Sequence, residues 1–353
     1  ANKDRQTKAT NPRGGFVHHP CVGASSAPAR DFRARGGVME LLAYAAFFLT
    51  IALTYAVISL GLNVQWGQTG LFNVGIAGFV GLGAYTSAVL TTPDAAARIG
   101  GFGLPILVGW AAAMGVAGLA AFAVGFLTLR MRSDYLAITT FGVAVALQLV
   151  FQNWESVTGG AFGMAFIPRP FAGLQSQPFA FNLSNLAVTA AVVLAVYLLL
   201  EHLLRSPWGR TLRAVREDDI AARALGKNPT RIRLQAFALG GAIMGLAGAV
   251  QTHFIGFVAP GNFLPMMTFQ VWAMLIVGGS GNNRGAILGA VLVWAIWALS
   301  GAAIAELFPA DQQARAASLQ IVIIGVMLCL ILLWRPQGIL PERSARRKKE
   351  ILK

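Results

Sequence analysis

The chain has 353 residues, of which 56% are hydrophobic and only 12% charged. A soluble domain carries about 25% charged residues, so this composition excludes an ordinary soluble fold. The formal charge of +14 resembles that of a nucleic-acid binder. Here, however, the basic residues lie between and after apolar runs, which is the positive-inside pattern of a membrane protein, and no nucleic-acid partner is expected.

Residues 1–38 are rich in Arg, Ala, Gly, Pro and Ser and show neither a helical nor a strand period. They carry no apolar core of a secretory signal. They read as a disordered tail, or as sequence foreign to the natural protein, with translation beginning at Met39 directly before the first apolar run. Nine apolar segments follow, at 41–62, 70–92, 104–129, 133–152, 186–205, 234–255, 264–278, 285–307 and 316–335. Runs of about 20 apolar residues cross a hydrocarbon core of roughly 30 Å as helices. The fold class is therefore all-α: a polytopic helical membrane protein of about nine to ten membrane segments, including a broken or re-entrant helix. The membrane domain covers 39–340, and a basic tail follows at 341–353. Cys21 and Cys329 lie in a polar tail and in the last span, so no disulfide is expected.

Basic residues cluster in alternate connections. Arg130 and Arg132 follow the third span, eight Arg and Lys residues fill 205–233, and Arg346 to Lys349 close the chain. The opposite connections, 93–103, 153–185 and 308–314, are nearly uncharged. The basic side is the cytoplasm by this rule, with a cytoplasmic C-terminus. Counting back leaves residue 40 outside. A half-crossing within 63–75, where glycines and amides interrupt the apolar pattern, would bring the N-terminus inside, and that arrangement is expected. Irregular backbone at such depth is tolerated where it is buried in protein or lines a wet cavity.

No Asp, Glu, Lys, Arg or His sits centrally in any span. Intramembrane charges mark ion paths, so a proton-coupled relay is not expected. Neither is a membrane enzyme: there are no paired acids within the spans, no H-E-x-x-H and no G-x-S-x-G, and Gly226-Lys227 lacks the rest of a Walker A loop. No catalytic residue, metal or cofactor is expected.

Three features carry the functional reading. In Ser206–Gly226, Pro207 and Gly209 break the preceding span and a short helix follows. Glu217, Asp218 and Asp219 stand at the start of its second part, as a helix N-terminus favours, and Gly226 stops it in the left-handed conformation. Such a helix suits a groove on another protein, or equally the lipid headgroups. The second feature is the series Gly67, Gly70, Gly75, Gly78, Gly81 and Gly83, which with Gly241-xxx-Gly245 and Gly285-xxx-Gly289 reads as close helix packing. Within it, Asn63, Gln65, Gln68 and Asn73 are candidates either for the substrate pathway or for bracing broken backbone. Thr139 and Gln148 are further pathway candidates. Third, Gly278–Gly285 reads as a tight turn on the cytoplasmic side. His253 is expected to be structural, and Trp154, Trp272, Trp294, Trp297 and Trp334 mostly to be interface anchors or lipid-facing.

Together these segments resemble the branched-chain amino-acid ABC permease family, in its LivM-type subunit, over about residues 55–340. The resemblance runs through Gly61-Leu62-Asn63, Gly67-Gln68-Thr69-Gly70-Leu71, Gly81-Leu82-Gly83-Ala84-Tyr85-Thr86, Ser133 to Thr140, Asn153-Trp154, Thr158-Gly159-Gly160, Ile167 to Pro170, Gly209 to Gly226, the turn at 278–281 and Arg335 to Leu340. It implies an ATP-driven importer in the bacterial inner membrane, with a second homologous permease, two cytoplasmic ATP-binding subunits and a periplasmic substrate-binding protein. ATP would be bound by the partner subunits, and this chain would hydrolyse nothing. The loop containing Arg213, Glu217, Asp218, Ile220, Ala221, Ala222, Leu225 and Gly226 would dock the ATPase. The cargo would be branched-chain or related small amino acids. Related permeases carry urea, short amides or aromatic acids, and a Na⁺-coupled carrier or channel is the reading from another class. Val145 and Gln148 stand where the family often has Glu and Arg, so no role is carried over for that pair.

Overall fold

In the computed structural model, the described residues are 28–94, 99–129, 133–307, 313–335 and 337–342. Residues 1–27, Arg130, Arg132 and the basic tail from 343 onward, all used above, lie outside them. Each of the nine expected spans corresponds to a helix: α1 (Pro28–Leu62), α2 (Ile76–Thr91), α3 (Ile106–Thr128), α4 (Ser133–Asn153), then α6, α9, α10, α11 and α12. The last five span Pro178–Arg205, Pro229–Ile255, Pro265–Gly278, Asn283–Leu307 and Gln313–Trp334. Between them lie the short α5 (Glu155–Thr158), α7 (Pro207–Glu217) and α8 (Asp219–Ala224). No described residue belongs to a strand; Met164 and Val258 form a single isolated antiparallel bridge.

Three helices start earlier than their apolar runs. α1 already includes Pro28–Val38, so that part of the stretch read as structureless is helical. α6 begins at Pro178 because its polar first turns are satisfied inside the fold: Asn182 donates to the Ala43 carbonyl and Asn185 to Phe181. α9 begins at Pro229, where the Asn228 carboxamide caps the Arg231 N–H at 3.1 Å.

Among the described residues, six helices are long and apolar enough to cross a membrane by length and composition. α2 and α10 are not. Their 16 and 14 residues reach about 24 and 21 Å at 1.5 Å per residue, short of a core of roughly 30 Å. Each follows a break. After α1 the chain makes a π-turn at Asn63–Gly67 and runs irregularly to Gly75. After α9 it turns at Gly256 and makes a 3₁₀ turn at Pro260–Phe263.

The same order therefore occurs twice: a long helix, a break, a half-length helix and two more long helices. The two copies run in opposite directions. α6 ends at Arg205 and leads into α7, so that end marks the side of the basic connection. Asn182, early in α6, bonds Ala43 in the first half of α1, while Asn63 and Gly67, just past the C-terminal end of α1, reach Asn283 and Arg216. α1 thus runs toward the basic side and α9 away from it. The start of α1 lies opposite the 206–228 connection, which corrects the expectation that both are on one side. The physical reason is that 63–75 turns back within the protein and adds no crossing.

Small residues bring the two copies together. Gly241 and Gly245 on α9 lie against Ala121 and Ala117 on α3, both fully buried. Gly83 on α2 meets the Gly245 backbone so closely that a Cβ there has no room. The core is this seam of α1, α2, α3 and α9, extended by α10 and α11.

Candidate transport site and coupling connection

The two breaks meet. Thr268, in the first turn of α10, accepts the Ala77 N–H of the first turn of α2 at 3.2 Å. Phe263, just before α10, lies against Gly81. The N-terminal ends of both half-length helices thus face each other inside the bundle. Half-helices disposed in this way in inverted repeats place dipole ends and freed backbone at substrate depth in transporters.

An aromatic cluster stands on each side of this meeting point. Trp66, Phe72 and Trp272 pack with ring centroids 4.6–5.5 Å apart. Tyr85 stacks on Phe151 at 4.5 Å and lies 6.1 Å from Phe263. Trp272 is buried and its indole N–H donates to the Asn73 carbonyl at 2.9 Å. It is an internal strut rather than the lipid-facing residue its type suggested. Trp294 likewise stacks on Tyr55 at 5.0 Å, whereas Trp154 and Trp334 are exposed as expected.

The four candidate amides are all buried, and each bonds within the fold. Gln65 donates to the Phe237 carbonyl at 2.8 Å and accepts from Asn73 at 2.7 Å. The Asn73 oxygen accepts the Gly75 N–H at 2.7 Å. Asn63 donates to the Asn283 carboxamide oxygen at 2.9 Å and accepts the Gly281 N–H at 2.8 Å. Gln68 donates to the Gly281 carbonyl at 2.9 Å. These residues satisfy backbone groups that a broken helix leaves without partners. Thr140, the residue after Thr139, joins them: its hydroxyl accepts the Val74 N–H. Thr139 and Gln148 sit half-exposed on α4, apart from this network, and the Thr139 hydroxyl bonds back to Tyr135.

His253 is fully buried between Ser87 and the Pro168 carbonyl, at 2.8 and 2.7 Å. A carbonyl can only accept, so Nδ1 carries the proton and Nε2 accepts from the serine hydroxyl. This is the structural role expected. It ties the 155–177 segment to the C-terminal end of α9, beside the Arg169 bond to Ile255.

On the basic side, α7 buries Leu212 and Val215. Asp218 caps α8 by accepting the N–H groups of Ile220 and Ala221 at 2.9 and 3.0 Å. Gly226 follows with φ +74°, the left-handed stop expected. Ala222 faces inward, while Ile220 and Leu225 are 77% and 79% exposed. Glu217 and Ala221 are exposed as well, and Arg213 is half-buried, reaching toward the Leu204 carbonyl.

One residue on this connection was missed by sequence reasoning. Arg216 donates to the Gly67 carbonyl in the π-turn and pairs with Glu342 at 2.9 Å. Glu342 in turn lies against Gly281. The segment carrying Glu342 is held by backbone bonds from Ile339 to Val277 and from Leu340 to Gly278. The closing motif thus folds under the base of α10. The only sequence signal for Arg216 was its place, one helical turn beyond the buried Leu212.

Two inverted copies of a broken-helix unit, meeting inside an all-helical membrane bundle, define a transport permease. Matches to known proteins agree. A family model described as the permease component of the branched-chain amino-acid transport system matches residues 44–332. The high-affinity branched-chain amino-acid transport permease LivM of Escherichia coli K12 is 32% identical, over 83% of this chain and 69% of that protein. A probable LivM of Methanocaldococcus jannaschii is 26% identical over 82% and 91%. The permease LivH of Salmonella typhimurium is 25% identical over 83% and 92%. The chain therefore belongs to the branched-chain amino-acid transport permease family, and is a transport subunit rather than an enzyme.

Proposed function

We propose that this chain is one permease subunit of an ATP-driven importer for branched-chain or related small amino acids. It forms half of the pathway beside a second, homologous permease, and receives its cargo from a periplasmic binding protein. Two ATP-binding subunits act on it from the cytoplasmic side, which is the side of the 206–228 connection. The similarity to both LivM and LivH permeases supports the paired arrangement.

The observation that carries the reading is the Arg216 junction. The connection that offers Ile220 and Leu225 to a partner also grips the π-turn at Gly67 and the C-terminal segment at Glu342. A displacement of α7 and α8 by a docked ATPase reaches the base of the broken helix through this one side chain. Arg213, Glu217, Asp218, Ala221, Ala222 and Gly226 shape and present the docking helix. The pathway runs along the α2–α4–α10 face, where Thr139 and Gln148 remain half-exposed. Asn63, Gln65, Gln68 and Asn73 hold the broken helices that line it.

The test is co-purification with a candidate ATPase. Ile220→Ser together with Leu225→Ser removes the exposed apolar contacts and should abolish the complex while the permease keeps its thermal midpoint. An undiminished complex would contradict docking at α8.

A further inference from the structure

The α6–α11 face holds two cavities that share a wall. One is a groove of about 630 Å³ lined by Leu53, Val193, Leu194, Ile287, Leu288 and Val291, all aliphatic. The other is a cavity of about 160 Å³ whose wall includes Arg205, Arg213, Glu201 and Asn282. Tyr197 and Arg284 line both. The Arg284 Nε donates to the Tyr197 hydroxyl at 3.1 Å, which leaves both terminal nitrogens of this exposed guanidinium free for another acceptor.

The charges in the polar cavity do not cancel. Glu201 pairs with Arg205 at 2.9 Å, and Glu342 pairs with Arg216 at 2.9 Å. Arg213 and Arg284 have no carboxylate within ion-pair distance among the described residues. An aliphatic groove therefore opens into a site with surplus positive charge, and a tyrosine stands at the join. Arg284 lies at the start of α11, on the basic side. From there to Val291 is seven residues, or about 10 Å along the helix axis, a depth within one leaflet of a core of roughly 30 Å.

We propose that this face binds an anionic phospholipid, with an acyl chain in the α6–α11 groove and the phosphate at Arg284 and Arg213. Basic pockets between membrane helices on the cytoplasmic side take anionic headgroups in this way. A helix from another protein would fill the groove but leave the two guanidinium groups unmatched. A neutral lipid would leave the surplus charge in place. Leu340 also lines the groove, and it lies two residues from Glu342, so the bound lipid braces the C-terminal segment that holds Arg216.

The test uses the full-length protein, stripped of lipid in detergent and then exchanged into nanodiscs. The discs contain phosphatidylcholine alone or with phosphatidylglycerol, and lipid retained after re-extraction is counted by native mass spectrometry. Wild type should retain phosphatidylglycerol over phosphatidylcholine and should melt at a higher temperature in its presence. Arg284→Gln removes a charge-assisted contact and should lower retention about tenfold. Val291→Trp fills the groove, leaves every charge in place and should also lower retention. Leu119→Trp, on the exposed face of α3, should leave retention unchanged. Equal retention of both lipids, or full retention in both the Arg284 and Val291 variants, would overturn the proposal. So would equal protection by soluble glycerol phosphate, because the site would then take a free anion rather than a lipid.

Discussion

Asn63 shows how a single carboxamide holds a membrane protein together. It sits at the end of α1 and fixes both the glycine turn and the start of α11, through Gly281 and Asn283. Asn63→Ala leaves the part-buried Gly281 N–H and the buried Asn283 amide oxygen without the partner they have here, at a cost of about 1–3 kcal/mol. The thermal midpoint of the detergent-solubilised protein should fall accordingly, and an unchanged midpoint would refute the bracing role. Gly83 makes a steric rather than a polar demand. Gly83→Val forces α2 away from the Gly245 backbone, and overpacking of this kind costs about 1–3 kcal/mol or more. That glycines and amides break the apolar pattern at 63–73 was legible in the sequence. Whether the amides faced cargo or backbone was not, because both uses require the same side chains, and only the positions of Phe237, Gly281 and Asn283 decide between them.

Among the elements, the α7–α8 connection was the most legible. Its proline, its acidic second start and Gly226 fix local geometry without tertiary help. The half-length helices were only partly legible. The 264–278 segment announced itself by its length, but 70–92 read as a full span because Leu71, Phe72 and Val74 are apolar although the chain there is not helical. Arg216 could not be found by pattern, since its partners are 149 and 126 residues away. Its prediction belongs at this scale. Arg216→Gln should leave ATPase docking and ATP hydrolysis intact while uptake falls, as expected for a link between two moving parts. Parallel loss of hydrolysis and uptake, or loss of neither, would refute the link. A thermal midpoint within a few degrees of wild type separates uncoupling from unfolding.

At the scale of the whole molecule, the inverted repeat explains features that the sequence leaves unrelated. The two breaks, the two aromatic clusters and the two short helices are counterparts across one seam. The repeat was not legible because its two copies share a pattern of interruptions rather than a string of residues. Sidedness was misread for a related reason: a break that turns back inside the protein has the composition of a re-entrant crossing. The structure predicts opposite accessibility for Glu40→Cys, in the first half of α1, and Lys227→Cys, in the basic connection. In a background lacking Cys21 and Cys329, a membrane-impermeant maleimide applied to intact cells should modify the first and spare the second. Modification of both or neither from outside would contradict the topology.

The central claim, a permease driven by a separate ATPase through the α7–α8 connection, is tested most directly by uptake of labelled leucine into proteoliposomes. These would contain this chain, the second permease, both ATP-binding subunits and the binding protein, with ATP hydrolysis followed in the same vesicles. The account predicts uptake that requires ATP and every subunit, and that is lost when Ile220 and Leu225 are both replaced by serine. Leucine uptake without ATP, or by this chain alone, would contradict it.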